Sequence, residues 1–434
     1  MSTVDIAVVG AGYVGLTTAA CFAHLGHQVV CADVDGDKVR ALAKGEVPIL
    51  EERLPALVIE GLENGRLRFV VGAAEAARGA AFVFLCVPTP QGTDGATDLS
   101  FVEQVVREIA PVLESGAVVV NKSTMPVGST RLVERILAEM ALSVAVVGVA
   151  SNPEFLREGT AVHDFLQPSR VVIGCNDAAV AVQVSELYRN VQAPVLVTDP
   201  ASAEMIKYAS NAFLATKISY INAIANLCES VNADVREVAL GMGYDPRIGF
   251  EFLRPGPGYG GSCLPKDTAA LLHTAQVSGY DFSLLAGVIE VNAQQHDRIV
   301  EKVRAAIGAP PAGRTIAIWG LTFKANTDDL RDSPALAIAD RLLDDGATVQ
   351  AYDPVTNEGA LDRVPRLALT VDPYEACRGA DVLVVLTEWD EFRWLDFDRV
   401  GELMTPAKAV VDGRNLLDPV AMRRRGFNYH GVGR

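Results

Sequence analysis

Residues 4–15 read Val4-Asp5-Ile6-Ala7-Val8-Val9-Gly10-Ala11-Gly12-Tyr13-Val14-Gly15, a short β-branched run that ends on glycine. A helical apolar pattern follows over 14–25, Gly26 breaks it, and a second run over 28–32 stops at Asp33. The order is therefore strand, helix, strand. Gly10, Gly12 and Gly15 fit Gly-x-Gly-x-x-Gly where the physics needs it: glycines permit the tight turn, and the unpaired amides of the next helix receive a pyrophosphate. Asp33, closing the second strand, would accept hydrogen bonds from the adenosine ribose hydroxyls and repel a 2′-phosphate, which favours NAD over NADP. Lys38 reads either as a helper at that ribose or as an ordinary solvated helix lysine.

Further apolar runs at 81–87, 118–120, 144–149 and 171–173 are near-continuous rather than alternating, as in a parallel sheet covered on both faces. At Asp199 the pattern changes. Asp199 is a plausible N-cap with Pro200 at the first helical position, and no Gly or Pro follows until after residue 232. A long helix is expected there, opening a helical middle segment. Ile206, Phe213, Ile218, Ile221, Ile224 and Leu227 do not keep to one stripe, so it is expected to be buried. After the break at 309–313 the opening pattern returns, with a strand at 315–319, a helix at 334–344, and 346–353 paralleling 26–33. The runs at 382–386 and 409–411 supply further strands. The expected fold is α/β: two Rossmann-like, doubly wound parallel-sheet domains joined by a long central helix and a helical middle domain. The boundaries are placed at 1–198, 199–308 and 309–434.

The 434 residues are half hydrophobic and one-fifth charged, an ordinary globular composition with material for several cores. A formal charge of −16 repels phosphates, which argues against nucleic-acid binding by a general basic surface, so an anionic ligand would be held by a few local donors. Seven scattered cysteines make no disulfide framework and favour a reducing compartment. No targeting segment or membrane-length apolar run is present, so a soluble, cytoplasmic protein is expected. Six histidines without metal-ligand spacing give no support for a metal site.

A second informative stretch is Gly256-Pro257-Gly258-Tyr259-Gly260-Gly261-Ser262-Cys263-Leu264-Pro265-Lys266-Asp267. Four glycines let the backbone come close to a ligand, and Pro265 marks the first turn of a helix. Cys263 thus stands at a helix N-terminus, which stabilises a thiolate, and Asp267 lies one turn on, as suits a nucleophile with a nearby base. The plainer reading is a glycine-rich loop capping a helix around a buried Cys. Lys207 and Asn211, spaced i,i+4 on the long helix, could hold a developing oxyanion or be a solvated edge. Residues 152–159, Asn-Pro-Glu-Phe-Leu-Arg-Glu-Gly, offer two carboxylates around an exposed loop. A phosphate-loop reading of 116–123 fails because Asn121 replaces the second glycine, and no Tyr-x-x-x-Lys pair occurs.

Together with Val87-Pro88-Thr89-Pro90, Ser123-Thr124-Met125-Pro126, Gly320-Leu321-Thr322-Phe323-Lys324 and Asp328-Asp329-Leu330-Arg331-Asp332-Ser333-Pro334, these motifs resemble the nucleotide-sugar dehydrogenase family nearly end to end. That family includes UDP-glucose, GDP-mannose and UDP-N-acetylhexosamine dehydrogenases. Asp245-Pro246-Arg247-Ile248-Gly249 and Asp412-Gly413-Arg414-Asn415 are most similar to its UDP-glucose branch.

The resemblance implies that NAD is held by the loop Gly10, Gly12, Tyr13, Val14 and Gly15 with Asp33, Lys38, Thr89 and Thr124, and by Glu158, Lys266 and Arg331. It implies that UDP-glucose, the small-molecule partner, meets Glu154, Phe155, Leu156, Arg157, Glu158, Lys207, Asn211, Phe252, Leu253, Arg254, Pro255, Gly256, Gly260, Phe323 and Lys324. The resemblance also implies Arg414 as a further candidate contact and, as in this family, an Arg247 that reaches a neighbouring subunit's substrate in a homodimer or larger homo-oligomer built on the long helix. The implied reaction is a four-electron oxidation at C6 through a Cys263 thiohemiacetal and thioester, with Asp267, through water, or Lys207 taking the hydroxyl proton in the first oxidation, Asp267, Glu154 and Thr124 positioning the hydrolytic water, and Lys207 and Asn211 stabilising the oxyanion. The same chemistry on GDP-mannose or a UDP-N-acetylhexosamine is the nearest alternative. A catalytically silent nucleotide-sugar sensor is disfavoured because Cys263, Lys207, Asn211 and Asp267 are all present.

Overall fold

The strand that precedes the glycine loop, β1 (Asp5–Val9), is the third strand of an eight-stranded sheet, paired on both sides. The computed structural model describes residues 3–92, 95–140, 147–355 and 358–434. They divide into two compact units, Met1–Ser210 with Ala269–Val277, and Asn211–Thr268 with Ser278–Arg434.

In the first unit β1 is followed by β2 (Gln28–Asp33), β3 (Leu67–Val71), β4 (Phe82–Leu85), β5 (Val118–Asn121), β6 (Gly148–Ser151), β7 (Val171–Gly174) and β8 (Val195–Thr198). Their order is β3-β2-β1-β4-β5-β6-β7-β8. The first six strands are parallel and doubly wound, with the switch point between β1 and β4, where the carboxyl ends of the strands leave a crevice for a ligand. Ile6, Val8, Phe84 and Val120 pack on one face with Leu16 and Phe22, while Ala7, Val9, Val83 and Val119 pack on the other with Ile109 and Ile136. Burial on both faces explains the unbroken apolar runs. Two features depart from expectation. The β6–β7 pairing is antiparallel, through Ser151 opposite Gly174. Strands β3 and β8, at the two edges, were not among the expected runs: in β8 Val195, Leu196 and Val197 are exposed, and in β3 Arg68 and Val71 are exposed and only Leu67 is fully buried. Part of the expected run 144–149, residues 144–146, lies outside the described residues.

In the second unit β9 (Thr315–Trp319), β10 (Thr348–Tyr352), β11 (Ala368–Leu369), β12 (Val382–Val385), β13 (Ala409–Asp412) and β14 (Asn428–Gly431) form an all-parallel sheet in the order β11-β10-β9-β12-β13-β14. This is the order of the first six strands again. The likeness extends to single atoms: Asp33 accepts from the Ala11 amide at 2.9 Å, and Asp353, just past β10, accepts from the Leu321 amide at 2.7 Å. The two carboxylates differ in their remaining partners. Thr322 and the Trp389 indole also donate to Asp353, which is buried, so this unit spends on itself the group a ribose would need.

The long helix, Pro200–Val231, starts as expected, with Asp199 accepting from the Ser202 amide at 2.9 Å. Its expected burial on all sides is not observed. Ile221 and Ala225 are fully buried, but Phe213 is 65% exposed, Tyr220 51% and Leu227 56%. These three recur every seven residues, close to two helical turns, and form an exposed apolar stripe among the described residues.

Candidate active site

The three glycines of the first loop have three different physical reasons. Gly10 has φ +101°, and a Cβ there would meet the Cys86 carbonyl oxygen at 2.4 Å. A Cβ on Gly15 would lie 1.7 Å from the Gly10 oxygen, so helix and strand pack too closely for any side chain. Gly12 has nothing within 4 Å of its would-be Cβ. That bare backbone, at the N-terminus of the helix Tyr13–His24, is the cradle a pyrophosphate needs. Asp33 accepts from Ala11 and from the Lys38 ammonium at 3.0 Å. Burial alone would raise its carboxyl; the amides of Asp35 and Ala11 with Lys38 outweigh this and hold it below the usual range. Lys38 therefore is not a freely solvated lysine but the partner of the Asp33 carboxylate, and these residues fit NAD.

The loop 152–159 is not exposed around Glu154, as its composition suggested: Asn152, Pro153 and Glu154 are buried, and only Arg157 is fully exposed. The Lys207 ammonium donates to Glu154 Oε1 at 2.9 Å, and both side chains are about 95% buried, at 4% and 5% exposure. Burial would raise the Glu154 carboxyl, but Lys207, the Leu156 amide and Lys122 hold it below the usual range. Lys207 thus lies in a buried ion pair rather than on a solvated edge. Nearby, Thr89 donates to the Thr124 carbonyl at 3.0 Å. Arg170 stacks 3.7 Å over the Phe155 ring and donates to Ser210. Leu156 packs against the apolar core, and Arg157 clasps Asp164 bidentately at 2.7 and 2.9 Å. Glu158 is half-buried.

In the second unit, Cys263 directly precedes the helix Leu264–Val277, and its carbonyl accepts from the Asp267 amide at 2.9 Å. It is half-buried, as is Cys175, whereas the other five cysteines are buried. Burial pushes the thiols of Cys21, Cys31 and Cys377 well up, and that of Cys86 up to about 12, which leaves them inert. Asp267 is 1% exposed and accepts from Asn211 Nδ2 at 2.6 Å and from Lys266 at 2.8 Å. Lys207 and Asn211, one turn apart on one helix, thus each hold a carboxylate.

The glycines of 256–261 are required by the protein's own packing rather than by ligand approach alone. A Cβ on Gly260 would lie 2.1 Å from the Asp332 carbonyl, and one on Gly261 would meet the Phe323 ring at 2.7 Å. Gly256 donates to Asn222 and Gly258 faces Asn292. Arg414 donates to the carbonyls of Leu386 and Phe323 at 2.8 and 2.7 Å, with its third nitrogen beside Gly256. Lys324 lies over the Phe323 ring. Phe252 holds φ +64°, a sparsely populated conformation for a bulky side chain. Leu253 belongs to the core, so only its backbone is available to a ligand, while Arg254 is exposed and Pro255 buried. Arg247 and Arg331 are exposed and paired with Asp245 and Asp329.

Two buried carboxylates escaped the sequence reading. Glu51 accepts from the Tyr13 hydroxyl and the Gly159 amide, joining the glycine loop to the loop 152–159. Glu204 accepts from Thr130 and the Gly128 amide at the start of the helix Ser129–Met140. Glu51 sits in a Glu51-Glu52-Arg53 run that looks like a solvated turn, and Glu204 shows only a charge on a helix. Among the described residues no cluster of metal-ligating side chains occurs, and no helix is long and apolar enough to cross a membrane.

Two doubly wound sheets, a bare glycine loop at a helix N-terminus with a carboxylate closing the next strand, and a cysteine leading a helix whose first turn carries a buried carboxylate are features of an NAD-binding oxidoreductase class. The chain belongs to the UDP-glucose/GDP-mannose dehydrogenase family. Residues 4–192 match its NAD binding domain, 201–294 its central domain and 317–419 its UDP binding domain. It is 48% identical, over 99% of both chains, to a UDP-glucose 6-dehydrogenase of Rhizobium meliloti (strain 1021). Among solved structures it is similar to a UDP-glucose dehydrogenase from Pyrobaculum islandicum (TM-score 0.90, 37% identity, 96% of this chain and 98% of that one). It is also similar to a UDP-D-ManNAc dehydrogenase from Pyrococcus horikoshii (TM-score 0.87, 30% identity, 99% of each).

Proposed function

We propose that this chain oxidises UDP-glucose at C6 to UDP-glucuronate, consuming two NAD and one water and releasing two NADH and three protons. The observation that carries the chemistry is the pair of buried couples on one helix, Lys207 with Glu154 and Asn211 with Asp267, together with Cys263 one turn ahead of Asp267. The higher identity to a UDP-glucose enzyme than to a UDP-ManNAc enzyme supports the substrate.

NAD bound at Gly10, Gly12, Tyr13, Val14, Gly15, Asp33 and Lys38, with Thr89, Thr124, Glu158, Lys266 and Arg331, supplies the acceptor for one hydride in each of two oxidations. Lys207, held as an ammonium by Glu154, suits the stabilisation of an oxyanion better than proton removal. Asp267 is then the acceptor for the C6 hydroxyl proton in the first oxidation, through water. The Cys263 thiolate adds to the aldehyde carbon, forming a C–S bond; loss of the second hydride gives a thioester. Once Asp267 has passed the first proton to solvent, water, deprotonated by Asp267 and positioned with Glu154 and Thr124, attacks the thioester, breaks the C–S bond and releases the carboxylate and the Cys263 thiolate, while Lys207 and Asn211 hold the oxyanion. The uridine diphosphate is held by 252–256, Gly260, Phe323, Lys324 and Arg414.

The division into residues 1–198, 199–308 and 309–434 is the working domain scheme, and a cytoplasmic location fits the free cysteines. The exposed stripe of Phe213, Tyr220 and Leu227 supports a homodimer formed on the long helix, in which Arg247, exposed beside Ile248 and Phe250, serves the partner's site. NADH formation by the purified protein with UDP-glucose, GDP-mannose and UDP-N-acetylhexosamines in turn tests the reading. A preference for UDP-glucose is expected; preference for another sugar nucleotide would overturn the substrate, and no NADH with any would leave a sensor.

A further inference from the structure

Lys122 follows β5 and has no part in the reaction above, yet its side chain is buried. Burying an ammonium is costly unless its hydrogen bonds and charge are met. No carboxylate lies within ion-pair distance of it among the described residues. Instead its Nζ donates to Asn152 Oδ1 at 3.0 Å and to the Tyr188 hydroxyl at 3.3 Å. Tyr188 donates in turn to the same Asn152 oxygen at 2.5 Å, and Asn152 Nδ2 donates to the Val172 carbonyl at 2.8 Å. The rings of Phe165 and Tyr188 stand 5.8 and 5.6 Å from the ammonium. Asn152 is thereby gripped by both ends of its amide, two residues before Glu154. The titratable groups that act on Lys122 are Cys86, Glu154 and Lys207.

We propose that Lys122 is a positioning residue for Glu154: its grip on Asn152 sets where the Asn152-Pro153-Glu154 turn delivers the carboxylate, and its charge joins that of Lys207 in keeping the carboxylate ionised. Two buried cations then share one buried anion, so the site carries a net positive charge ready for an oxyanion. Burial pulls the Lys122 ammonium down to about 8, with Cys86 and Glu154 raising it and Lys207 lowering it further. The cation is therefore complete below that pH and is lost above it. The inference rests on the role given to Glu154 in the proposed reaction.

The test is Lys122→Met with UDP-glucose as substrate, measuring kcat, KM, NADH binding and the pH dependence of kcat, beside Glu154→Gln. Removing a neighbouring cation raises a carboxyl pKa, so the acid limb of kcat is expected to move to higher pH. We expect kcat to fall about tenfold or more, with KM and NADH binding changed less than about threefold. An unmoved acid limb, or a loss spread equally over kcat and NADH binding, would overturn the proposal in favour of a structural lysine. Should Lys122→Met fail to fold, Asn152→Ser keeps the cation but releases the turn; a lowered kcat with NADH binding kept supports the proposal, and wild-type kcat overturns it. Glu154→Gln separates the two claims. If it keeps wild-type kcat, the role of Glu154 falls; if it loses kcat while Lys122→Met does not, only the present inference falls.

Discussion

Removing the Lys207 ammonium leaves Glu154 as a buried carboxylate without its main partner, and the size of that effect follows from the pair's geometry. At 2.9 Å and an effective dielectric of about 20, the attraction is about 6 kcal/mol. In the intact protein much of this offsets the desolvation of the two groups. In Lys207→Met the carboxylate keeps its desolvation and loses the offset, a change worth about 3–5 kcal/mol in buried pairs. The Leu156 amide and Lys122 remain, so the lower end, about 3 kcal/mol, is expected. Adding Glu154→Gln removes the stranded charge, and the double variant should regain about 2 kcal/mol of that loss.

The pH dependence carries a sign. The folded wild-type Glu154 carboxyl lies below its unfolded value, so its stabilisation is present above the ordinary carboxylate range and is lost as pH falls through the folded value. In Lys207→Met burial dominates and the folded carboxyl rises above its unfolded value, so the variant's penalty grows as pH rises. The gap between wild type and variant is therefore widest near neutral pH and narrows toward pH 4–5, about the range of an unperturbed carboxyl. Urea unfolding of wild type, both single variants and the double variant, at neutral and acid pH, measures this. A Lys207→Met penalty below about 1 kcal/mol at neutral pH, or one that does not change with pH, would refute the buried pair.

Gly12→Ala should leave stability within about 0.5 kcal/mol, because its Cβ meets nothing, but should weaken NADH binding about tenfold by crowding the pyrophosphate; unchanged binding in a fluorescence titration would refute the cradle. Phe213→Glu should weaken the proposed dimer about a hundredfold, seen as a halved mass by sedimentation at micromolar concentration; an unchanged mass would remove the long helix from the interface.

Much of this molecule could be read from its sequence because its central strands are buried on both faces and its turns need glycine. The runs at 118–120, 171–173 and 315–319 had only one way to be buried, and each is a strand with a neighbour on both sides. The edges were less legible: β8 is mostly exposed, and β3 buries only Leu67 fully, so both owe their place largely to a neighbour's hydrogen bonds rather than to a continuous apolar run. The long helix was legible from its N-cap and its lack of breakers, but its exposed stripe was not: composition alone does not separate an apolar residue buried in the core from one left exposed on the surface. The site divided the same way. Gly10, Gly12, Asp33 and Cys263 stood in motifs whose spacing carries chemistry. Lys207 could equally have been solvated until the fold brought Glu154 to it from the end of another strand. Glu51, Lys122 and Glu204 had no local signature at all, since their burial comes from segments far away in the sequence.

The central claim is that one site performs both oxidations through a covalent Cys263 intermediate. The most direct measurement is the ratio of NADH to UDP-glucuronate formed from UDP-glucose, with Cys263→Ser run beside the parent protein. About two NADH per UDP-glucuronate, no free aldehyde from the parent, and loss of sustained turnover in Cys263→Ser are expected. One NADH per substrate with accumulating aldehyde, or a Cys263→Ser variant that turns over as the parent does, would contradict it.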